Sequence, residues 1–228
     1  MNNTQVTSNY ATLSGKIVSL PQFSHEVYGE KFYEVMLEVK RLSQSVDLIP
    51  VSVSERLMTE GLIQLGKEIT VTGQFRSYNK TVDDKSKLML TVFARDITEI
   101  SSEVNPNCIQ LEGYICKLPV FRTTPFNREI CDVLLAVNRQ YNKSDYIPCI
   151  AWGRNARFVR CLPVGEHIKI IGRVQSRQYQ KKLEDDVVVT KTAYEVSINK
   201  IVLADKEVAA TVSPADSAHL SLGGYNEN

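Results

Sequence analysis

The chain has 228 residues, of which 43% are hydrophobic and 23% charged, with 27 Lys and Arg against 26 Asp and Glu. This length fits two domains of about 100 residues, each with its own modest core. No apolar run approaches the roughly 18 residues of a membrane span, and the N-terminus lacks a secretory signal pattern. We therefore expect a cytosolic globular protein.

The sequence repeats itself at a spacing of 98 residues. The segment 13–23 returns at 111–121, with Leu, Gly, Ile, Leu-Pro and Phe in the same order. After one residue is gained, Gly73 pairs with Gly172. A repeat of this size is a whole small domain rather than a solenoid unit.

The charge is distributed unevenly over the two copies. Residues 1–100 carry 11 Lys and Arg against 12 Asp and Glu, whereas residues 104–204 carry 15 against 9. The rest of the chain carries 1 against 5. A basic second copy favours an anionic partner, although a basic surface can also be simply solvated.

Alternating apolar residues predict five strands in the first copy, at 11–20, 31–41, 47–54, 67–77 and 88–100. A polar linker at 101–107 follows. The second copy predicts strands at 108–117, 130–138, 146–152, 166–176 and 187–203, with a helix at 155–162. We expect domains at 8–100 and 108–204, and a flexible, aperiodic tail at 205–228.

Five strands, a helix between the third and fourth, and a long loop between the fourth and fifth predict an OB-fold. The OB-fold is an all-β, five-stranded Greek-key barrel. The polar segment 177–186 is typical of the long hairpin loop. Gly73 and Gly172 lie in mid-strand, where glycine often marks a bulge or a sharp bend. We therefore predict two tandem OB-fold barrels.

Catalytic and metal-binding patterns are not evident. The five cysteines contain no C-x-x-C pair and have no histidine at metal-ligand spacing, so reduced, mostly buried thiols are the simpler interpretation. The three histidines are scattered, and no nucleophile–base pattern or phosphate-binding glycine loop accompanies them. We expect neither an enzyme nor a bound cofactor.

Three segments of the second copy stand out by their order and spacing: Leu135-Ala-Val-Asn-Arg139, Tyr146-Ile-Pro-Cys-Ile-Ala-Trp-Gly153 and Gly165-Glu-His-Ile-Lys-Ile-Ile-Gly172 with its continuation to Tyr179. Through these segments the second copy resembles, over about 95 residues, the bacterial single-stranded DNA-binding proteins. The first copy shares the framework but resembles that family only weakly. The resemblance implies binding of single-stranded DNA in replication, recombination or repair.

Family positions for base stacking fall on four aromatic residues: Tyr141, Tyr146, Trp152 and Tyr179. Cations that flank these rings could contact phosphates, and these are Arg139, Arg154, Arg157, Arg177, Lys181 and Lys182. Trp152 could instead be packed in the core, and Tyr141 could be exposed without a function. Arg157 could belong to a solvated helix face, and the acidic run at 184–186 offsets Lys181 and Lys182.

The first copy lacks most of these rings. Ser43, Leu48 and Ser54 stand where the second copy has Tyr141, Tyr146 and Trp152. Tyr78 and Arg76 remain near the equivalent loop as a secondary site. We therefore predict that the second barrel dominates binding and that the first is auxiliary or serves assembly.

The resemblance also implies four barrels in the working unit, which a homodimer of this chain would supply. The family's acidic Pro-Phe tip is absent, so recruitment of replication and repair proteins is in doubt and an accessory or mobile-element version is suggested. An alternative is an assembly module of a primosome or replication-restart complex that mainly binds protein.

Overall fold

The computed structural model describes residues 8–41, 43, 45–58, 61–82, 85–100, 107–182 and 188–204. Within these ranges the chain is mainly β-strand. Most of the expected linker (101–106) and the whole expected tail (205–228) lie outside the described residues, as do parts of two expected loops.

The first half forms a closed five-stranded barrel with one additional hairpin strand. The strands are β1 (Asn9–Ile17), β2 (Gln22–Val27), β3 (Glu30–Lys40), β4 (Val46–Ser54), β5 (Glu68–Val82) and β6 (Lys85–Glu99). β1 pairs with both β3 and β5, and β4 runs parallel to β6, so the sheet closes on itself in Greek-key order. A 3-10 turn, Glu55–Leu57, follows β4, the third strand of the barrel.

The second half repeats this barrel with the same pairings. The elements are β7 (Asn107–Ile115), β8 (Val120–Thr123), β9 (Glu129–Arg139), β10 (Lys143–Trp152), α1 (Arg154–Val159), β11 (His167–Lys182) and β12 (Val188–Leu203). β7 pairs with β9 and β11, and β10 runs parallel to β12. The short helix α1 occupies the place of the 3-10 turn. The predicted fold of two tandem OB-fold barrels is confirmed.

Three local features differ from the sequence-based expectations. The hairpin strands β2 and β8 were not expected, and α1 is shorter than 155–162. The segment 177–186 was expected to be loop, but β11 continues to Lys182 because its backbone pairs with β12 as far as Val188. Cross-strand pairing therefore outweighs the polar composition of this segment.

The two mid-strand glycines lie at bulges. Register shifts fall between Thr72 and Gly73 and between Ile171 and Gly172. A Cβ atom at Gly73 would collide with the carbonyl oxygen of Phe93, and one at Gly172 with that of Ser197. Glycine is thus required where each barrel strand bends against its neighbour.

The two barrels are joined edge to edge by their first strands. β1 and β7 pair antiparallel from Asn9 opposite Leu111 to Leu13 opposite Asn107, which makes one twelve-stranded sheet. The Asn9 side chain accepts a hydrogen bond from the Phe75 backbone N–H at 3.0 Å and donates one to the Phe75 carbonyl oxygen at 2.7 Å. Asn107 makes the same two hydrogen bonds with Val174, at 2.9 and 2.7 Å.

Two further contact regions flank this strand pair, and we name them by their buried carboxylates. At the Asp145 seam, Asp145 Oδ1 accepts a hydrogen bond from the backbone N–H of Ser77 at 2.7 Å. At the Asp47 seam, Asp47 Oδ1 accepts one from the backbone N–H of Ser176 at 2.7 Å. The barrels are therefore related by an approximate two-fold arrangement within one chain.

Candidate nucleic-acid interface

Two aromatic side chains lie exposed on the outer face of β10. Side chains alternate across a strand, and the opposite face of β10 packs into the core through Ile147, Cys149 and Ala151, which are 0–3% exposed. Tyr146 is 48% exposed and Trp152 is 37% exposed. The packed-core alternative for Trp152 is therefore not what the structure shows, and both rings have accessible surface for stacking.

The other two predicted aromatic residues lie on hairpins of the same barrel. Tyr141 is 89% exposed at the β9–β10 turn, where its φ angle is +61°. Positive φ is uncommon for a bulky residue and is imposed here by the tight hairpin. Tyr179 is exposed on β11, with the guanidinium of Arg177 5.9 Å from its ring centre.

Several of the predicted cations already have carboxylate partners. Arg139 Nε lies 3.4 Å from Asp145, and Arg157 lies 3.3 Å from Glu129. Arg177 Nε lies 3.7 Å from Glu195. These contacts hold the guanidinium groups in place and also offset part of their charge.

Arg154, Lys181 and Lys182 complete the predicted set. Arg154 is exposed at the first residue of α1, directly after the strand that carries Trp152. Lys181 and Lys182 extend β11, where their backbones pair with Val189 and Val188. The described members of the set thus lie on β9, the β9–β10 turn, β10, α1 and β11, with Tyr141 and Trp152 at opposite ends of β10.

The first barrel differs at the equivalent places. Leu48 and Ser54 occupy the positions of Tyr146 and Trp152, and Tyr78 is 40% exposed on β5. Arg76 lies with its guanidinium carbon 3.8 Å from the ring centre of Phe93 and donates to Gln74 Oε1 at 2.8 Å. The secondary site predicted at Tyr78 and Arg76 therefore lies on β5, beside the Asp145 seam.

Sequence reasoning missed a basic recess of about 470 Å³ at this seam. Arg76 and Arg95 line it from the first barrel, and Arg139, Tyr141 and Lys143 line it from the second. Lys143 could have been noticed because it stands two residues from Tyr141. Arg95 gave no local signal, since only the contact between the barrels brings it there.

The surroundings of the recess lower the pKa of one of its cations, Arg76. Burial, together with the neighbouring Arg139 and Arg95 charges, lowers the pKa of Arg76 to about 10, although Asp145 opposes this. Like charges at short range disfavour the protonated form, so the guanidinium groups are held close at an electrostatic cost. An anion bound in the recess would reduce the repulsion between these guanidinium groups.

Metal sites and membrane-spanning helices are absent from the described part of the chain. It contains no group of three or more His, Cys, Asp or Glu side chains placed to hold a metal ion. It contains no helix long and apolar enough to cross a membrane. The five cysteines are unbridged: Cys131 and Cys149 are buried, Cys108 and Cys116 are half-buried, and Cys161 is exposed.

The closed barrels, joined by their first strands, define the class of this molecule as a tandem OB-fold protein. Its overall fold matches the crystal structure of wild-type single-stranded DNA binding protein from Thermus aquaticus, with a TM-score of 0.63 at 20% identity. The match covers 86% of this chain and 92% of that one.

Sequence comparison identifies the family. The profile of the "Single-strand binding protein family" matches residues 106–204. Single-stranded DNA-binding protein 1 of Streptococcus pyogenes is 30% identical over 118 residues, which cover 49% of this chain and 89% of that protein. The protein of the same name from Lactococcus lactis is 33% identical over 92 residues, 37% of this chain and 61% of that protein. The chain belongs to the single-strand binding protein family, although it spans less than two thirds of the Lactococcus relative.

Proposed function

We propose that this protein binds single-stranded DNA without sequence preference and that its second barrel supplies most of the affinity. The observation that carries the proposal is the exposure of Tyr146 and Trp152 on one outer face of β10. Unpaired bases present flat π faces, and each base that stacks on an aromatic side chain contributes about 1–3 kcal/mol. Stacking is largely indifferent to base identity, which suits a non-specific binder.

The cations around this face supply the second part of the interaction. Arg154 is exposed two residues after Trp152, Arg177 is exposed beside Tyr179, and Arg139 is half-buried at the base of the β9–β10 hairpin. Contacts between these groups and phosphates would release counterions, so affinity should fall as salt concentration rises. Binding of this kind involves no catalytic step.

The proposed biological role is protection of single strands during replication, recombination or repair. A homodimer would assemble four barrels and give the strand a longer surface to follow. Light scattering of the full chain, with and without an oligo-dT, would report the number of chains and the bound stoichiometry together. A mass that stays at one chain under both conditions would contradict the homodimer.

Fluorescence offers a direct test of DNA binding, because Trp152 is the only tryptophan in the sequence. We expect oligo-dT to quench its emission and added salt to reverse the quenching. Trp152→Ala should weaken binding of a labelled oligo-dT, whereas Tyr28→Ser should not, although Tyr28 is a fully exposed aromatic residue on the first barrel. Absence of both quenching and a mobility shift would favour the protein-binding assembly module instead.

A further inference from the structure

The two seams between the barrels have equivalent backbones but different charges. At the Asp145 seam, the Tyr146 N–H donates to Ser77 Oγ at 2.8 Å. At the Asp47 seam, the Leu48 N–H donates to Ser176 Oγ at 3.2 Å. Because these positions correspond in the repeat, the two seams compare the same architecture with two sets of side chains.

Two of the three arginines at the Asp47 seam have carboxylate partners, and the third, Arg173, donates a hydrogen bond to Gln175 Oε1 at 3.1 Å. Arg41, the counterpart of Arg139, contacts both oxygens of Asp47, at 2.5 and 2.7 Å. Glu195 accepts a hydrogen bond from Gln175 at 2.7 Å and lies 3.7 Å from Arg177. Two carboxylates, Asp47 and Glu195, therefore stand among the three arginines of this seam.

The Asp145 seam has more cations and fewer carboxylates. Arg76 replaces the neutral Gln175 here, as Arg173 replaces the neutral Gln74 at the Asp47 seam, but Thr91 stands opposite Arg76 in register where Glu195 stands opposite Gln175. Asp145 is fully buried and meets Arg139 through a single longer contact of 3.4 Å. The described residues that line the basic recess here include no carboxylate.

The recess also has the composition that phosphate recognition requires. Guanidinium groups bind phosphate oxygens through paired N–H donors, and lysine adds a compact charge. Arg95 and Lys143 are exposed, so they can reach a ligand from opposite sides of the seam. Tyr141 lines the recess from the turn of the β9–β10 hairpin, and most of its side chain is accessible.

We propose that the basic recess is a phosphate-binding site built jointly by both barrels, and that it holds the backbone of a single strand passing from the second barrel to the first. This inference rests on the proposed function. It identifies Arg95 and Lys143 as DNA contacts and makes the first barrel a participant in binding. The Asp47 seam, where Asp47 and Glu195 pair with Arg41 and Arg177, is not assigned this role.

The test compares two double variants of the full chain. Arg95→Gln with Lys143→Gln removes two cations of the recess, and Lys16→Gln with Lys200→Gln removes two exposed cations that do not line it. Affinity would be measured over a range of salt concentrations for oligo-dT of about 8 and about 35 nucleotides, lengths near to and beyond the site of one OB-fold. For the long oligomer, the slope of log affinity against log salt concentration should be shallower by about 1.4 in the recess variant than in the wild type. Each lost phosphate contact accounts for about 0.7 of this change. The control variant should keep the wild-type slope.

Inorganic tripolyphosphate distinguishes a site that binds any phosphate-rich anion from one that is occupied by the DNA backbone. It should raise the Tm of the wild type and the control variant but not that of the recess variant, since a ligand that binds only the folded state stabilises it. Wild-type slope and wild-type tripolyphosphate response in the recess variant would overturn the recess while Trp152 quenching still supported the proposed function. A tripolyphosphate response without any oligo-dT binding would establish an anion site and overturn its occupation by DNA.

Discussion

Asp47 and Asp145 stand 98 residues apart at the same position of the repeat, and each accepts a hydrogen bond from the other barrel. Both side chains are fully buried, and each is bonded by a backbone N–H at 2.7 Å. The interface is thus reciprocal, as in a two-fold dimer. Its two halves differ in strength because Arg41 contacts both oxygens of Asp47, whereas Arg139 contacts Asp145 once.

We expect Asp47→Ala to lower the free energy of unfolding by about 3 kcal/mol, because it removes the carboxylate that pairs with the half-buried Arg41 and leaves the Ser176 N–H without its acceptor. Asp145→Ala should cost less, because its ion pair is longer. Urea denaturation followed by circular dichroism would measure both. Asp132→Ala is the control: its pair with Arg122 is half-exposed, so its loss should cost no more than about 1 kcal/mol. Equal costs at all three positions would contradict the role of the seams.

Tyr146 and Leu48 form a matched pair for testing the division of labour between the barrels. Both are exposed and both donate a backbone N–H to a serine of the other barrel. Loss of one stacked base in Tyr146→Ala should weaken oligo-dT binding by about 5- to 150-fold, which corresponds to 1–3 kcal/mol. Leu48→Ala should change affinity less than about twofold, because no ring is lost. A larger effect from Leu48→Ala in fluorescence polarisation would show that the first barrel dominates.

The bulge at Gly172 gives a prediction about stability. Gly172→Ala would place a methyl group against the Ser197 carbonyl oxygen, and the strand would have to shift. A decrease of about 1–3 kcal/mol in the free energy of unfolding is expected from overpacking of this kind. Gly29→Asn is the comparison, since Gly29 lies in an exposed hairpin turn with open space around it and a φ of +80°, which asparagine tolerates better than other side chains. Chemical denaturation would measure the free energy of unfolding of both variants. An unchanged free energy of unfolding in Gly172→Ala would refute the close approach.

The cysteines should differ in reactivity. Burial raises the pKa of the Cys131 thiol to about 11 and raises that of Cys149 as well. Because the thiolate is the reactive form, iodoacetamide at about pH 8 should modify the exposed Cys161 first and reach Cys131 and Cys149 only after unfolding. Peptide mapping by mass spectrometry would show the order, and early modification of Cys131 would contradict its burial.

The same raised pKa predicts a pH dependence of stability. The folded state keeps the Cys131 proton more tightly than the unfolded state, whose thiol has a pKa of about 8.5. The stabilisation from the neutral thiol is therefore complete below about pH 8.5 and is lost as the pH rises toward about 11. Unfolding free energies across this range should fall in the wild type, and Cys131→Ala should remove this part of the slope.

The sequence by itself determined the duplication, the strand pattern of each barrel, the glycine bulges and the family. These depend on local periodicity and on spacing, which are visible along the chain. Trp152 and Tyr146 were placed on one face for the same reason, because even spacing in a strand fixes the side of the sheet. The hairpin strands β2 and β8 escaped this reasoning because short exposed strands have little apolar alternation.

Only the tertiary structure decided how the two barrels meet. The contacts Asp145–Ser77 and Asp47–Ser176 join residues 68 and 129 positions apart, and no local pattern encodes such distances. Consequently the sequence identifies Arg139 and Arg76 separately as candidate cations. It does not show that they line one recess with Arg95. Strand pairing between β1 and β7 brings them together, because the first residues of these two strands do not pair with β3 and β9 and pair with each other instead.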